Sequence, residues 1–510
     1  MAIEIELKLR LPSASARHLL AHPFFASQPG QKNRLLNTYY DTPEFDLRKR
    51  GIALRLRRKG WALWLMTVKG GDAGVGGLAQ RSEWEAPTQP GVFDFSIVTD
   101  AGLREFLERH HSRLLPVFTT DFTRTAWTID LAGSRIEVAL DRGRINALQI
   151  DTTSGERKPV GESICELELE LLQGESPDAL FDLAIALAAD IHLLPEIRSK
   201  AERGYALADP SLSKPVKGFV SPVDSSMSPV DAFRAIALAS LAHLQRNEAG
   251  GISGEDPEYV HQCRVAIRRL RSAFKLFSPV LSSTFVAVYA PRWKALAANL
   301  GGARDWDVFL SETLVPLEEA FPDDAGLALL RSRGKAAQTK AQSSAGASLS
   351  QPTYSQLILA FSAALFRVEA PTIAGNDKPS ASSLHRFAVG RLKKRGRTIA
   401  RLAREHKKMR AECRHKLRIE CKKLRYAIEF FAPILSEKRI SKYQLALSRI
   451  QDRLGALNDL ATALRLIGEI HPGEKPNPLI LGWITGRNEL LVKEFESELR
   501  HFLACKAPCK

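Results

Sequence analysis

Apolar and polar residues alternate with a period of two through much of the first two hundred positions. In IEIELKLR (residues 3–10), Glu4, Glu6 and Lys8 interleave with Ile5, Leu7 and Leu9, as in a strand with one apolar and one charged face. GIALRLRRKG, WALWLMTVKG, QRSEWEAP, TRTAWTIDL, SRIEVALDRG and CELELELLQG repeat the pattern at short spacing, with glycine at several turns. Such runs predict an antiparallel sheet or barrel. One well-signalled helix follows, SPDALFDLAIALAADIHLLP, with Ser176 as its expected N-cap and Pro177 in the first turn.

From Ala208 to Pro229 the chain has four prolines, many serines and no period, which reads as a linker. Beyond it the period becomes helical, and an internal repeat appears. HQCRVAIRRLRSAFKLFSPVL from His261 matches HKLRIECKKLRYAIEFFAPIL from His415, an offset of 154 residues. At the same offset LGGARD meets LGALND, and Phe233 meets Phe387. The expected organisation is a strand-rich domain over 1–208, a linker over 209–229 and an all-α domain over 230–505. Its two repeated bundles are expected at about 230–333 and 384–487, with an Ala/Ser/Gln-rich stretch near 333–353 between them. The fold class is thus α+β.

Net charge is +16 and the pI about 9.6, and the excess is confined to one part of the chain. Residues 1–210 hold 26 basic against 29 acidic side chains, whereas the remainder holds 47 against 28. An anionic partner for the helical half follows from that asymmetry. The six cysteines (165, 263, 413, 421, 505, 509) form no CxxC pair, which suits structural thiols in a reducing compartment. The first strand pattern leaves no room for a signal peptide, and no apolar run approaches a membrane span. The expectation is a cytoplasmic protein with no membrane partner.

Charges that share strand faces carry the candidate chemistry: Glu4, Glu6 and Lys8; Arg55 and Arg57; Arg81, Glu83 and Glu85; Glu137 and Asp141; Glu166, Glu168 and Glu170. Lys69 ends one strand and Arg124 sits within another. A solvated outer face accounts for any one of these strands. Taken together, clustered carboxylates demand cations and clustered Arg/Lys demand an anion. A divalent cation with a phosphate chain satisfies both sets, because hard Mg²⁺ or Mn²⁺ prefers oxygen ligands.

EIELKLR resembles the ExExK signature of the CYTH domain, the triphosphate tunnel metalloenzyme family. YYDTP, LRLRRKG, TVKG, RSEWE, EVALDRG, ELELELL and RSKAERGYAL follow in that family's order over about residues 1–208. The resemblance implies an eight-stranded antiparallel β-barrel tunnel with flanking helices and inward-pointing charges. Carried over by position, it implies Glu4, Glu6, Glu166, Glu168 and Glu170 as metal ligands, with Asp141 beside them. It implies Lys8, Arg55, Arg57, Lys69, Arg124 and Lys200 as the phosphate cradle. Glu83 and Glu85 then hold water, metal or neighbouring cations, and Arg203 braces the closing helix. The implied activity is metal-dependent hydrolysis of inorganic triphosphate to pyrophosphate and phosphate, by water attack without a covalent nucleophile. The family also includes class IV type adenylate cyclases and thiamine triphosphatases, and a non-catalytic polyphosphate-binding protein is a further alternative. Trp61, Trp64 and Trp84 are expected to pack the barrel.

In the helical half, His261, Arg264, Arg268 and Arg271 fall on one narrow helical face, and His415, Arg418, Lys422 and Arg425 reproduce it. Cys263, Ala266, Leu270 and Phe274 form the opposite core stripe. Each basic stripe alone reads as a solvated face or as a partner for Asp305, Asp307 and Asp459. Two at identical spacing favour a shared anion-binding surface. HxxRVxxRRLR with a later LGxxRD resembles the CHAD domain over about residues 230–505, so that the whole chain resembles bacterial CYTH-CHAD inorganic triphosphatases. That implies a basic groove for polyphosphate, with the histidines as ligands or as hydrogen-bonding groups. The stripes lack the interleaved aromatics of a base-stacking platform, which argues against nucleic acid.

Overall fold

A computed structural model of the chain describes residues 2–26, 29–60, 62–70, 75–150, 156–174, 176–368, 383–404, 411–471 and 477–505. Trp61 and Cys509 lie outside the described residues. The chain divides into two compact units, one of residues 1–215 with 351–366, the other of 216–350 with 367–510.

In the first unit eight antiparallel strands close on themselves: β1 (Ala2–Arg10), β2 (Gln31–Asp41), β3 (Ile52–Lys59), β4 (Leu63–Gly70), β5 (Leu78–Thr88), β6 (Leu115–Leu131), β7 (Ser134–Ile150) and β8 (Arg157–Gln173). Their order is β5-β4-β3-β2-β6-β7-β8-β1, and pairing of β1 with β5 completes the barrel. A two-residue strand, β9 (Leu194–Pro195), adds to β1.

The barrel inverts the usual polarity. Leu7 and Leu9 of β1 point outward into a core with Val138, Leu140, Leu167 and Leu169, roofed by Leu180, Leu183, Ala184 and Leu187 of the helix Asp178–Asp190. That helix starts one residue later than its sequence signal, and Ser176 Oγ still accepts from the Asp178 amide at 3.2 Å. Leu54, Leu56, Met66, Val68 and Trp84 likewise pack outward under Phe106 and Leu107 of the helix Ala101–His110. With every second residue committed to these outer cores, the charged residues between them face the lumen.

The helix Lys200–Ala208 packs on the third apolar cluster through Ala201 and Tyr205. Ser199 and Glu202 cap its start reciprocally. Gly204 is required by packing, since a Cβ there would lie 2.2 Å from the Phe118 ring. The aspartate of YYDTP is fully buried. Asp41 accepts from the amides of Thr42, Leu47 and Arg48, and from the Tyr205 hydroxyl at 2.7 Å, which ties this helix down.

The helix Pro352–Arg367 also belongs to the first unit. Leu359 and Ala363 enter its largest core, Phe366 packs on Phe181 at 5.5 Å, and Gln356 donates to the Ala188 carbonyl. The span expected for the helical domain is therefore interrupted, because apolar periodicity identifies a helix without naming the core it joins.

The second unit is helical, and its two halves repeat element by element. We label its helices A (Pro229–Ser253), B (Pro257–Phe277), C (Ser283–Asn299), D (Gly301–Val308), E (Val315–Ala320) and F (Ala325–Leu349), with a π-helical turn Phe309–Thr313 between D and E. The second copy has A′ (Ser383–Arg404), B′ (Ala411–Phe431), C′ (Glu437–Ile470) and F′ (Pro478–Ala504). C′ runs unbroken where the first copy uses C, D and E. The Ala/Ser/Gln-rich stretch near 333–353 is mostly the end of helix F, as its alanine content permits. Phe277 joins the copies, 5.3 Å from Phe387 and 5.7 Å from Phe431.

Candidate active site and anion-binding surface

The barrel encloses a cavity of about 740 Å³. Glu4, Glu6 and Lys8 line it from β1, Arg55 and Arg57 from β3, Lys69 from β4, Glu83 and Glu85 from β5, Arg124 from β6, and Glu168 and Glu170 from β8. Lys200 reaches it from the closing helix. All twelve were singled out in the sequence. Asp141 and Glu166, also singled out, are not among the lining residues; they are 0% and 2% exposed behind the wall.

Strand register dictates which charges meet. Glu6 pairs across from Glu170, Lys8 from Glu168, Lys69 from Glu83, and Arg124 from Asp141. Lys8 Nζ lies 2.6 Å from Glu6, while Lys69 Nζ lies 2.6 Å from Glu4 and 3.1 Å from Glu83. Lys200 contacts Asp141 at 2.7 Å, Glu168 at 2.9 Å and Glu166. Arg124 makes two 2.8 Å bonds to Asp141 and a further bond to Glu168. Arg203 clamps Glu166 at 2.7 Å and Glu162 at 2.8 Å. Burial opposes ionisation of Glu168, but Lys200 and Arg124 outweigh it and hold the carboxyl well below its usual range. Conversely, the three carboxylates beside it hold the Lys200 ammonium above its ordinary value despite burial.

Compensation is incomplete at two places. Burial, then the charges of Glu4 and Glu137, push the Glu170 carboxyl up to about 7. Burial, then the neighbouring Arg55, pull Arg57 down to about 10. One lining region therefore has excess negative charge and another excess positive charge. Asp141, Glu166 and Glu168 bring oxygens within 4.8 Å of one another, but Lys200, Arg124 and Arg203 already neutralise that group.

In the helical unit the two basic stripes converge. Arg268 Nε donates to the Tyr426 hydroxyl at 2.6 Å, from helix B to helix B′. Burial, then Arg418, Arg268 and Arg425, bring Lys422 down to about 7. Burial and Arg304 bring His261 down to about 4. Arg264 is differently placed: it donates to the Leu300 and Gly301 carbonyls and lies 3.9 Å from Asp305. Asp307 accepts from Gln338 and Gln342 rather than from a stripe residue, and Arg425 lies 3.3 Å from Glu429. Burial lowers Arg271, and His415 is exposed at the edge of a second cavity.

Comparison with known proteins follows the same division. Residues 2–205 match the CYTH domain and residues 235–468 match the CHAD domain. The chain carries a CYTH domain followed by a CHAD domain. An inorganic triphosphatase of Haemophilus influenzae is 36% identical over 211 residues, 41% of this chain and 55% of that protein. The chain thus spans about half the length of that curated relative. The CHAD domain structure from Ricinus communis is 30% identical, covering 58% of this chain and 98% of that one, with a TM-score of 0.48. A Hippeastrum protein with a dominant triphosphatase activity is 20% identical, covering 40% and 95%, with a TM-score of 0.29.

Within the CYTH barrel, several lining residues went unassigned in the sequence. Glu137 opposes Glu170 in register and adds to the acidic side. Arg81 lies opposite Glu4, with its Nε unpaired among the described residues. Both had a visible signal, since each shares a strand face with an assigned residue. Tyr39 faces Arg55 and Thr67 donates to Glu85 at 2.7 Å, while Asn37, buried behind the wall, accepts from Arg57 Nε at 2.9 Å. Neutral polar residues inside a barrel carry no comparable sequence signal. Trp64 and Trp84 pack with the outer apolar cluster, as expected.

Proposed function

We propose that the CYTH domain hydrolyses inorganic triphosphate to pyrophosphate and phosphate with the help of a divalent cation, and that the CHAD domain binds polyphosphate. The observation that carries the first part is one enclosed cavity with carboxylate excess in one region and guanidinium excess in another. A phosphate chain and a hard cation each meet their complement there. The triphosphatase of Haemophilus influenzae supports the same reading.

The donor set fits a divalent cation. Glu4, Glu6, Glu137 and Glu170 offer hard oxygens, and burial together with the charges of Glu4 and Glu137 raises the Glu170 carboxyl, a burden that a cation relieves. Glu168 and Glu166 fit less well, because basic side chains engage both of their oxygens, whereas Lys8 and Lys69 each engage a single oxygen of Glu6 and Glu4. A bound Mg²⁺ or Mn²⁺ supplies charge neutralisation and polarisation at the phosphoryl oxygens. Arg55, Arg57, Arg124 and Lys200 then bind and orient the phosphate chain, and Lys8 and Lys69 place positive charge beside the carboxylates. Their ion pairs fix them before substrate arrives, so little reorganisation accompanies the build-up of negative charge on the leaving pyrophosphate. Tyr39 and Phe122 are the aromatic residues among those lining the cavity. Tyr39 is already stacked on Phe118 at 4.5 Å, and among the described lining residues no further ring is present to sandwich a nucleobase or thiazole, which favours the inorganic substrate over cyclase or thiamine triphosphatase chemistry.

For the CHAD domain, the depressed Lys422 supports the reading, since crowded cations are relieved by a polyanion. Among the described residues no helix is long and apolar enough to cross a membrane. Phosphate release from triphosphate, longer polyphosphates, thiamine triphosphate and ATP, with Mg²⁺, Mn²⁺ or chelator, tests the assignment. Triphosphate as the best substrate, only with metal, is expected; ATP cyclisation as the main reaction overturns it.

A further inference from the structure

The two halves of the helical unit differ at one place that neither the tunnel nor the basic stripes explain. In the second copy, helices B′, C′ and F′ surround a cavity of about 340 Å³. Leu457, Leu460 and Ile484 form its buried wall, at 7%, 6% and 3% exposure. Leu464 lies at the rim and is 42% exposed.

The matching space in the first copy is filled. Trp306 stands where the second copy has Leu460. The π-helical turn carries Leu310, the counterpart of Leu464, onto Gly334, where a Cβ would come within 2.9 Å of the leucine methyl. Leu310 is only 6% exposed as a result. Arg331, the counterpart of Thr485, closes the edge by pairing with Glu318. The unbroken helix C′ lacks the π-turn, Asn488 replaces Gly334, and Thr485 is too short to reach across.

The apolar wall opens toward positive charge. Arg418 lines the cavity, has an Nε without a partner among the described residues, and is held below its ordinary pKa chiefly by burial. His415 lies at the same edge. A volume near the lower end for small-ligand pockets, with an apolar body and a few polar groups at one side, selects for shape and amphipathicity.

We propose that this cavity is a binding site for a small amphipathic anion, an aliphatic chain carrying a phosphate head that Arg418 receives while Leu457, Leu460, Leu464 and Ile484 enclose the chain. It goes beyond the polyphosphate reading and does not rest on it, because a polyphosphate has no apolar body to place against those leucines.

Calorimetric titration of the full chain with butyl, hexyl and octyl phosphate, below their micellar concentrations, tests it. Each added methylene is expected to tighten binding about fourfold. Octanol and inorganic phosphate are expected to bind at least about tenfold more weakly than octyl phosphate, since each lacks one half of the recognition. Ala461→Trp and, from the opposite helix, Asn488→Phe fill the cavity and should each abolish octyl phosphate binding while leaving the thermal midpoint and triphosphate turnover unchanged. Arg418→Gln should weaken octyl phosphate but not octanol. Affinity that is flat along the series overturns the proposal, whether or not either filled variant folds. So does octyl phosphate binding that survives in a folded filled variant.

Discussion

The barrel lumen and the basic face of the helical unit both collect charge, but in opposite ways. In the lumen most basic side chains have a carboxylate partner, while Glu6, Glu137 and Glu170 meet as like charges across neighbouring strands. Lys200 is held charged by Asp141, Glu166 and Glu168, and Glu168 by Lys200 and Arg124. On the helical face burial and a majority of basic neighbours bring Lys422 down to about 7 and His261 to about 4. A compensated site is rigid before its ligand arrives and suits chemistry on a short substrate of defined length. An uncompensated one is relieved by any dense polyanion and selects little beyond charge.

The sharpest way to break this comparison is to unbalance the lumen. Glu6→Gln or Glu168→Gln should lower kcat by ~10²-fold or more, as loss of preorganised charge does, measured as phosphate release from triphosphate. Full activity in chelator contradicts the cation's role. Lys200→Ala should strike stability as well as turnover, by about 3–5 kcal/mol in denaturant unfolding, because Lys200 braces buried carboxylates in addition to lining the cradle. Arg57 offers the contrast: burial and then the charge of Arg55 disfavour its ionised form, so Arg57→Ala should weaken turnover by at least about tenfold with a near-unchanged thermal midpoint. Equal destabilisation by both substitutions erases the distinction between brace and cradle.

The period-two pattern grouped Glu4, Glu6 and Lys8 on one face, as it grouped Arg55 with Arg57 and Glu168 with Glu170. It does not say whether such a face looks inward or outward; the family resemblance supplied the direction, and the outer leucine cores give its physical cause. Asp141 and Glu166 show the limit of such reasoning. They sit on the expected strands, yet Lys200 and Arg203, distant in sequence, draw them behind the wall. The helix Pro352–Arg367 was hidden for a related reason, since its periodicity is ordinary and only the third dimension assigns it to the barrel core. Likewise the 154-residue repeat was plain in sequence, while the π-turn that fills one copy and leaves the other hollow was not.

Smaller effects sharpen the helical side. Removing Arg268 and Lys422 together should lower polyphosphate affinity and reduce the salt slope by about 2, near one unit per cation. Lys422 also gives a pH signature. Free, it loses its proton above about 7; a bound polyanion raises that value, so binding takes up a proton. Affinity should then fall as pH rises from about 7 to 9, by at most about tenfold per unit. Lys422→Arg, charged throughout, should flatten the profile.

One salt titration reaches the central contrast directly. On the full chain, the dissociation constant of long-chain polyphosphate and the KM of triphosphate are measured together between 50 and 200 mM salt. The account predicts that polyphosphate affinity falls by about 10³-fold, through release of condensed counterions, while the triphosphate KM, governed by an enclosed and largely compensated site, rises by less than about tenfold. Parallel slopes for the two ligands contradict it.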